Sequence, residues 1–288
     1  MSAPPLTPGR AQLVAVAAAS FLLVLKAAAS WSTGSLALGS AALDSAVDAF
    51  ISTANYFVLR RSVAPPDEDH AYGHGKFESL AALGQGLFLA VGAAGLVVEG
   101  VRRFSSREIP RDSALGVAVL LVSVAVSLAV SRVLRAAAER SGSPAVKADS
   151  QHYSTDLWVN GAALAALLTV RFTGWWPADP LVALAVAALV FRTAANLAVE
   201  AVGDLSDRGL PHEDLARIEA VVASFAPRVV GMHDLKTRRS GRQRFVEVHL
   251  EIPRSATFEE AHGLTVEVLR AIERELPRSK VFVHGDPV

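Results

Sequence analysis

Apolar residues fill the first two thirds of the chain in long blocks, and the last third switches to short-range alternation of apolar and polar positions. Six blocks are visible: Ala11 to Ser30, then 36–59, 79–101, 114–134, 150–170 and 180–199. A helix needs about 20 consecutive apolar residues to cross the hydrocarbon core of a bilayer, so each block predicts one membrane span. The first, preceded by Arg10 and closed by Ala27, Ala28, Ala29 and Ser30, has the outline of a signal peptide. It reads as a retained span because more spans follow at once. Lys26 within it is expected to snorkel to the interface. Small residues crowd Ser35–Ala49, Ala81–Gly95 and Gly161–Ala166, which predicts close helix packing.

From Leu205 onward the pattern is helix, strand, strand, helix, strand. His212 to Ala226 carries a helical stripe (Leu215, Ile218, Val221, Val222, Phe225) that Pro227 stops. Val229–Arg238 and Gln243–Ile252 flank a hairpin turn at Arg239-Ser240-Gly241-Arg242. In the second strand Val246, Val248, Leu250 and Ile252 share one face, expected to sit under helices, while Phe245, Glu247, His249 and Glu251 share the outward one. Thr257 and Glu260 form a capping box for a helix through Glu275, and Lys280–His284 is the last strand. The expectation is a six-helix transmembrane bundle over residues 1–204, followed by a small α+β (αββαβ) domain over 205–288.

Six spans put both termini on one side, and a polar tail without an export signal places that side in the cytoplasm. Arg60, Arg61, Lys76, Arg132, Arg135, Arg140 and Lys147 agree with this orientation. Arg102, Arg103, Arg107 and Arg111 fall in the third loop, on the opposite side, and do not agree. Among 288 residues the formal net charge is zero, so no global field argues for nucleic acid. There is no cysteine. Any transition metal must therefore be held by imidazole and carboxylate.

Two polar pairs interrupt the apolar blocks, Asp44 with Asp48 and His152 with Asp156, each four residues apart. Residues so spaced lie one above the other on a helix face. A carboxylate near the bilayer centre costs roughly 2.5 kcal/mol or more and is normally kept there for ion or proton handling. Helix-helix hydrogen bonding is the bland account of a lone acid, and four polar ligands together weaken it. One nitrogen and three oxygens can close a tetrahedral shell for zinc, and cadmium and ferrous iron fit the same set. Binding needs neutral imidazole and ionised carboxylates, so loading metal expels protons. Ser45, Ser154 and Asn160 lie nearby as supporting partners or as plain packing residues.

Outside the spans, Asp67, His70 and His74 form a loop cluster beside Gly73 and Gly75 that reads equally as a metal site or as a solvated charged loop. The tail holds His233, His249, His262 and His284, with Asp286 two residues beyond the last. Four histidines near element ends in one small domain favour metal over isolated surface histidines. His212 is left over at a helix start. Glu99, Arg171 and Arg192 near span ends are expected to meet headgroups, and Asn55 and Gln85 to join helix contacts. No nucleophile with a base, phosphate loop or nucleotide fingerprint appears, so energy must come from a gradient.

These residues resemble the cation diffusion facilitator family, above all its bacterial zinc and ferrous-iron efflux type. The resemblance rests on Leu43-Asp44-Ser45-Ala46-Val47-Asp48, on the loop Asp69 to Ser79, on Asp149-Ser150-Gln151-His152-Tyr153-Ser154-Thr155-Asp156, and on Gly231-Met232-His233-Asp234-Leu235. It implies a homodimeric antiporter of the bacterial inner membrane that exports divalent metal against proton entry by alternating access. Asp44, Asp48, His152 and Asp156 match the family's transport site, and Asp67, His70 and His74 its loop site. His233, His249, His262, His284 and Asp286 match the cytoplasmic site, where in such proteins two metals, expected here to be zinc, bridge a dimer of ferredoxin-like tails. Lys76 and Asp207 resemble a charge pair that interlocks the subunits.

Two other classes use the same residues. A membrane metalloenzyme is disfavoured, because catalytic zinc keeps a coordination position open for water and four protein ligands fill it. A membrane metal sensor that signals without transport binds metal and moves none.

Overall fold

The computed structural model describes residues 7–33, 36–106 and 114–288. Six long helices come first among them: α1 (Pro8–Thr33), α2 (Leu36–Ser62), α3 (Lys76–Ser106), α4 (Ala114–Ser141), α5 (Pro144–Thr173) and α6 (Ala178–Leu205). At 1.5 Å per residue each is roughly 40 Å long. Four of them, α1, α3, α4 and α6, are long and apolar enough to cross a membrane. The other two match them in length but carry the acids and polar residues noted above, which lower their mean hydropathy. Large apolar side chains such as Phe21, Phe50, Phe57 and Val91 stand exposed on these helices, the arrangement expected where hydrocarbon is the solvent.

The helices pack through small residues. Ala11 and Ala15 of α1, Leu134 and Ala137 of α4 and Val146 and Tyr153 of α5 share one buried cluster. Ala82 and Ala93 of α3 and Ala194, Leu197 and Ala201 of α6 belong to a second. At Gly86 the backbone of α6 comes close: a Cβ there would lie within 3.2 Å of the Ala194 carbonyl oxygen and 3.3 Å of the Ala198 nitrogen.

Several helices outrun the expected spans. Ser143 caps α5, accepting from the Val146 N–H, and Pro144 takes the first turn, so Lys147 is helical and not in a loop. Arg135 and Arg140 lie on α4, and Arg102 and Arg103 on α3. Glu99 does not await a headgroup. It accepts from Arg102 at 2.9 Å and Arg103 at 2.7 Å, and Arg103 also reaches Asp179 at 2.9 Å. Two of the four arginines that contradict the expected orientation, Arg102 and Arg103, are thus paired on a helix; Arg107 and Arg111 lie outside the described residues.

The chain divides into two compact units, 1–201 and 202–288. In the second, α7 (His212–Ala223) precedes β1 (Gly231–Ser240), β2 (Gln243–Ile252), α8 (Phe258–Glu275) and β3 (Ser279–Pro287). Helix α7 ends three residues before the expected Ala226, and its last N–H groups fold into turns leading to Pro227. The hairpin closes on two residues, Gly241 and Arg242, with Gly241 at φ 59°. The sheet order is β1-β2-β3, antiparallel then parallel. Val246, Val248, Leu250 and Ile252 are buried with Ile218 and Val222 of α7 and Leu264, Val268 and Ile272 of α8. Each such side chain is worth about 1.5–3 kcal/mol of burial. On the outward face Phe245 is nevertheless buried, under the Arg238 guanidinium at 4.6 Å from its ring centre. The Thr257–Glu260 capping box is formed in full.

Candidate metal centres

Four-residue spacing stacks His152 and Asp156 on one face of α5, and α2 brings Asp48 to meet them. The His152 Nε2 lies 3.1 Å from Asp48 Oδ1 and 3.6 Å from Asp156 Oδ2. One donor atom from each of the three falls within 4.8 Å of the others. The imidazole is buried, flanked by the Phe88 and Tyr153 rings at 6.2 and 5.7 Å. Its Nδ1 is buried without a hydrogen-bond partner among the described residues.

A cavity of about 490 Å³ opens over these donors, and Asp44 lines it too. Asp44 is exposed and stands outside the three-residue group. Residues four apart on an α-helix differ by about 40° around the axis and roughly 6 Å along it, so the two acids of α2 do not address one point equally. Among the neighbours, Asn160 donates to the Asp156 backbone carbonyl at 2.8 Å, and Ser154 is engaged by Ser131 at 2.6 Å.

Lys26 corrects the sequence reading. It does not snorkel. Its side chain is 9% exposed, lines the same cavity, and donates to Ser45 Oγ at 2.8 Å.

Beneath the site Asp149 is fully buried and gathers amide donors from three other helices: Gln12 at 2.6 Å, Gln85 at 3.2 Å and Asn55 at 3.4 Å. A buried carboxylate without such donors would be costly. Asn55 and Gln85 serve helix contacts, as expected, and the acid they serve, quoted in the sequence only as the start of a motif, was given no role there. Its signal was there: an aspartate three residues before His152, a spacing that places the two on adjoining positions of one helix side.

In the loop, Asp67 Oδ1 accepts the His70 backbone N–H at 2.8 Å and lies 3.0 Å from the His70 ring. His74 Nε2 comes within 3.1 Å of Asp67 Oδ2. Partial desolvation works upward on the Asp67 carboxyl, but the hydrogen bonds from His70 outweigh it and hold the group below the usual carboxylate range. A cation fits here. His74 is 2% exposed, neither ring nitrogen makes an aligned hydrogen bond among the described residues, and the donors are a set that zinc accepts.

In the tail the register aligns three histidines in one row, since His233 pairs with His249 and His249 with His284. His249 Nδ1 lies 2.7 Å from Asp286 Oδ2, His233 Nε2 3.3 Å from the same oxygen, and His284 Nε2 3.2 Å from Oδ1. The hydrogen bond from His249 keeps the Asp286 carboxyl below its ordinary range. His233, His249 and Asp286 bring donors within 4.8 Å of one another. Glu251, two residues beyond His249, adds an oxygen 3.2 Å from His233 Nδ1; its place on the outward face was legible, its partnership was not.

His262 is not brought to this row. It is exposed on α8, which packs on the opposite face of the sheet, and its ring stacks at 6.3 Å from that of Phe258. Asp207, expected in a charge interlock with Lys76, sits at φ 57° and lies 3.5 Å from Arg238. Lys76 opens α3.

Residues 12–206 match the model of the cation efflux transmembrane domain, and residues 210–288 that of the cation efflux protein cytoplasmic domain. The chain is 41% identical over 277 residues to the cation-efflux pump FieF of Yersinia pestis (strain Pestoides F), covering 96% of this chain and 92% of that protein. The same figures hold for the cation-efflux pump FieF of Yersinia pseudotuberculosis serotype O:3 (strain YPIII). A solved metal-bound C-terminal domain of the CzcD transporter from Thermotoga maritima is 27% identical, covers 27% of this chain and 94% of that one, and superposes with a TM-score of 0.25.

Proposed function

Because the chain belongs to the cation efflux family, we propose that it exports zinc, with cadmium or ferrous iron as related substrates, from the cytosol in exchange for protons by alternating access. Its coarse activity, efflux of divalent metal across a membrane by a transporter and not an enzyme, is the family's. The finer reading rests on one observation above the others: Asp48, His152 and Asp156 from two helices converge over a shared cavity. An imidazole among carboxylates suits zinc, cadmium and ferrous iron better than magnesium or calcium. Metal and protons compete for the same lone pairs, so exchange of one for the other follows from the donor set.

In this reading residues 1–204 form a transport domain of six spans with both termini in the cytoplasm of a bacterial inner membrane. Residues 205–288 form a ferredoxin-like metal-binding dimerisation domain. Asp44 joins the transport site in part of the cycle. Asp67, His70 and His74 would hold one resident zinc ion, and His233, His249, His284 and Asp286 others that stabilise a homodimer. His262 acts in that dimer, where a second chain offers it donors its own sheet does not, and Lys76 and Asp207 lock the two subunits together.

Proteoliposomes test the central claim. The parent protein should accumulate zinc inside vesicles under an imposed pH gradient, with an internal pH reporter recording proton movement. Unchanged accumulation by Asp48→Ala or Asp156→Ala would remove the assignment. A metal sensor would bind zinc in the same preparation and show no flux.

A further inference from the structure

A lysine lining a cavity that also holds carboxylates is a different object from a lysine at a membrane surface. Lys26 sits on α1, is buried, and its Nζ is fixed 2.8 Å from the hydroxyl of Ser45, the residue that follows Asp44 on α2. It lines the same cavity as Asp44, Asp48, His152 and Asp156. A hydrogen bond to one serine does not require an ammonium. A neutral amide or hydroxyl would join α1 to α2 equally well, without the roughly 2.5 kcal/mol or more that a cation costs inside a membrane. The charge is therefore balanced by something, and the carboxylates of the cavity are what it faces.

Resting on the transport reading above, we propose that Lys26 is a tethered counter-cation of the metal cavity and sets the charge of the ion it accepts. Three carboxylates line the cavity. With the ammonium offsetting one of them, a divalent cation brings the loaded cavity to neutrality. Without it the loaded cavity keeps a negative charge in a poorly screening medium, which binds metal more tightly and releases it less readily. Once the metal has left, the ammonium remains as a partial substitute, so the empty carrier does not present three unscreened acids while it reorients. Lys26 is thus a positioning and charge-setting residue rather than a ligand.

The experiment separates loaded from empty steps. Zinc binding is measured by calorimetry on the full-length protein in detergent. Two fluxes are measured in proteoliposomes: net zinc movement into metal-free buffer, and zinc-for-zinc exchange with zinc saturating on both sides. Lys26→Gln keeps a group able to donate to Ser45 but removes the charge; it should bind zinc at least about tenfold more tightly and lose at least about tenfold in net flux, while exchange falls far less. Lys26→Arg should stay within about twofold of the parent in all three measurements. Ser45→Ala, which keeps the charge and removes the tether, should move each quantity in the same direction as Lys26→Gln by a smaller factor, and provides the answer if the Gln variant does not fold.

Parent-like affinity in Lys26→Gln, or equal loss of net flux and exchange with affinity unchanged, overturns the proposal in favour of a plain packing role. If the parent itself moves no zinc, the transport reading falls, and the binding comparison still decides whether Lys26 opposes the metal.

Discussion

The Nε2 of His152 on α5 stands 3.1 Å from Oδ1 of Asp48 on α2, an interhelical contact between residues 104 positions apart in the chain. Asp44, one turn away on the same helix as Asp48, has no such partner among the three grouped donors. The two acids are therefore unequal. Asp48→Asn should lower zinc affinity at the membrane site by at least about a hundredfold, since removing even the outer partners of metal ligands costs 10–100-fold. Asp44→Asn should cost less, and equal losses in calorimetric titrations of the two variants would contradict the difference.

Changing the one nitrogen donor should change the metal preferred. His152→Asp offers oxygen alone, the donor type of harder cations. Competition binding should show cadmium and zinc affinity falling at least about tenfold relative to manganese. Preserved cadmium preference in the variant would mean that His152 does not contact the ion.

Zinc should stabilise the tail through the histidine row. At a hundredfold excess over its dissociation constant a ligand adds about 2.7 kcal/mol to the form that binds it. His233→Ala, which loses contacts to Asp286 and Glu251, should erase most of the zinc-induced rise in melting temperature while proteoliposome transport continues. Loss of metal at the membrane site in that variant would refute the separation of the two centres.

The capping box of α8 should be visible in a pH series. Thr257 donates its backbone N–H and its hydroxyl to Glu260 Oε2 at 2.8 Å each, and these bonds hold the Glu260 carboxyl below its ordinary value of 4.5. A depressed folded value stabilises above the ordinary one and is lost as pH falls through the lower folded value. Amide protection factors in the first turn of α8 should thus hold steady down to the ordinary range near 4.5 and fall below it. Glu260→Gln should abolish the pH step, and Thr257→Ala should cost about 1 kcal/mol at neutral pH, where the carboxylate is ionised.

Gly86 should tolerate nothing branched. A Cβ would meet two backbone atoms of α6 and the Cβ of Leu197, none of which can rotate aside. Gly86→Val should destabilise the detergent-solubilised protein by about 1–3 kcal/mol, seen as a lower melting temperature. A parent-like melting point would mean that α3 and α6 separate freely.

Local patterns were legible in the sequence wherever a period of 3.6 or 2 carried them. The polar pairs on α2 and α5, the capping box, the hairpin and the buried face of β2 are all of this kind. What needed the third dimension was which member of a pair meets its partner. Helical spacing puts Asp44 and Asp48 on one face, but only packing against α5 ranks them. Lys26 was misread because position in an apolar run says nothing about whether a serine on the next helix waits for it. Asp149 was quoted in a motif but given no role because its partners, Gln12, Asn55 and Gln85, are scattered over three helices. His262 was grouped with the other tail histidines by composition, and the sheet separates it from them within one chain.

The histidine row exists only when two kinds of strand pairing are satisfied at once: a local hairpin joining β1 to β2, and a parallel pairing of β2 with β3 that must wait for all of α8 to cross between them. A slip of one residue in either would turn an imidazole to the wrong side of the sheet. Any ion that draws on all three strands thereby proofreads the finished layer, and holds its most distant seam shut.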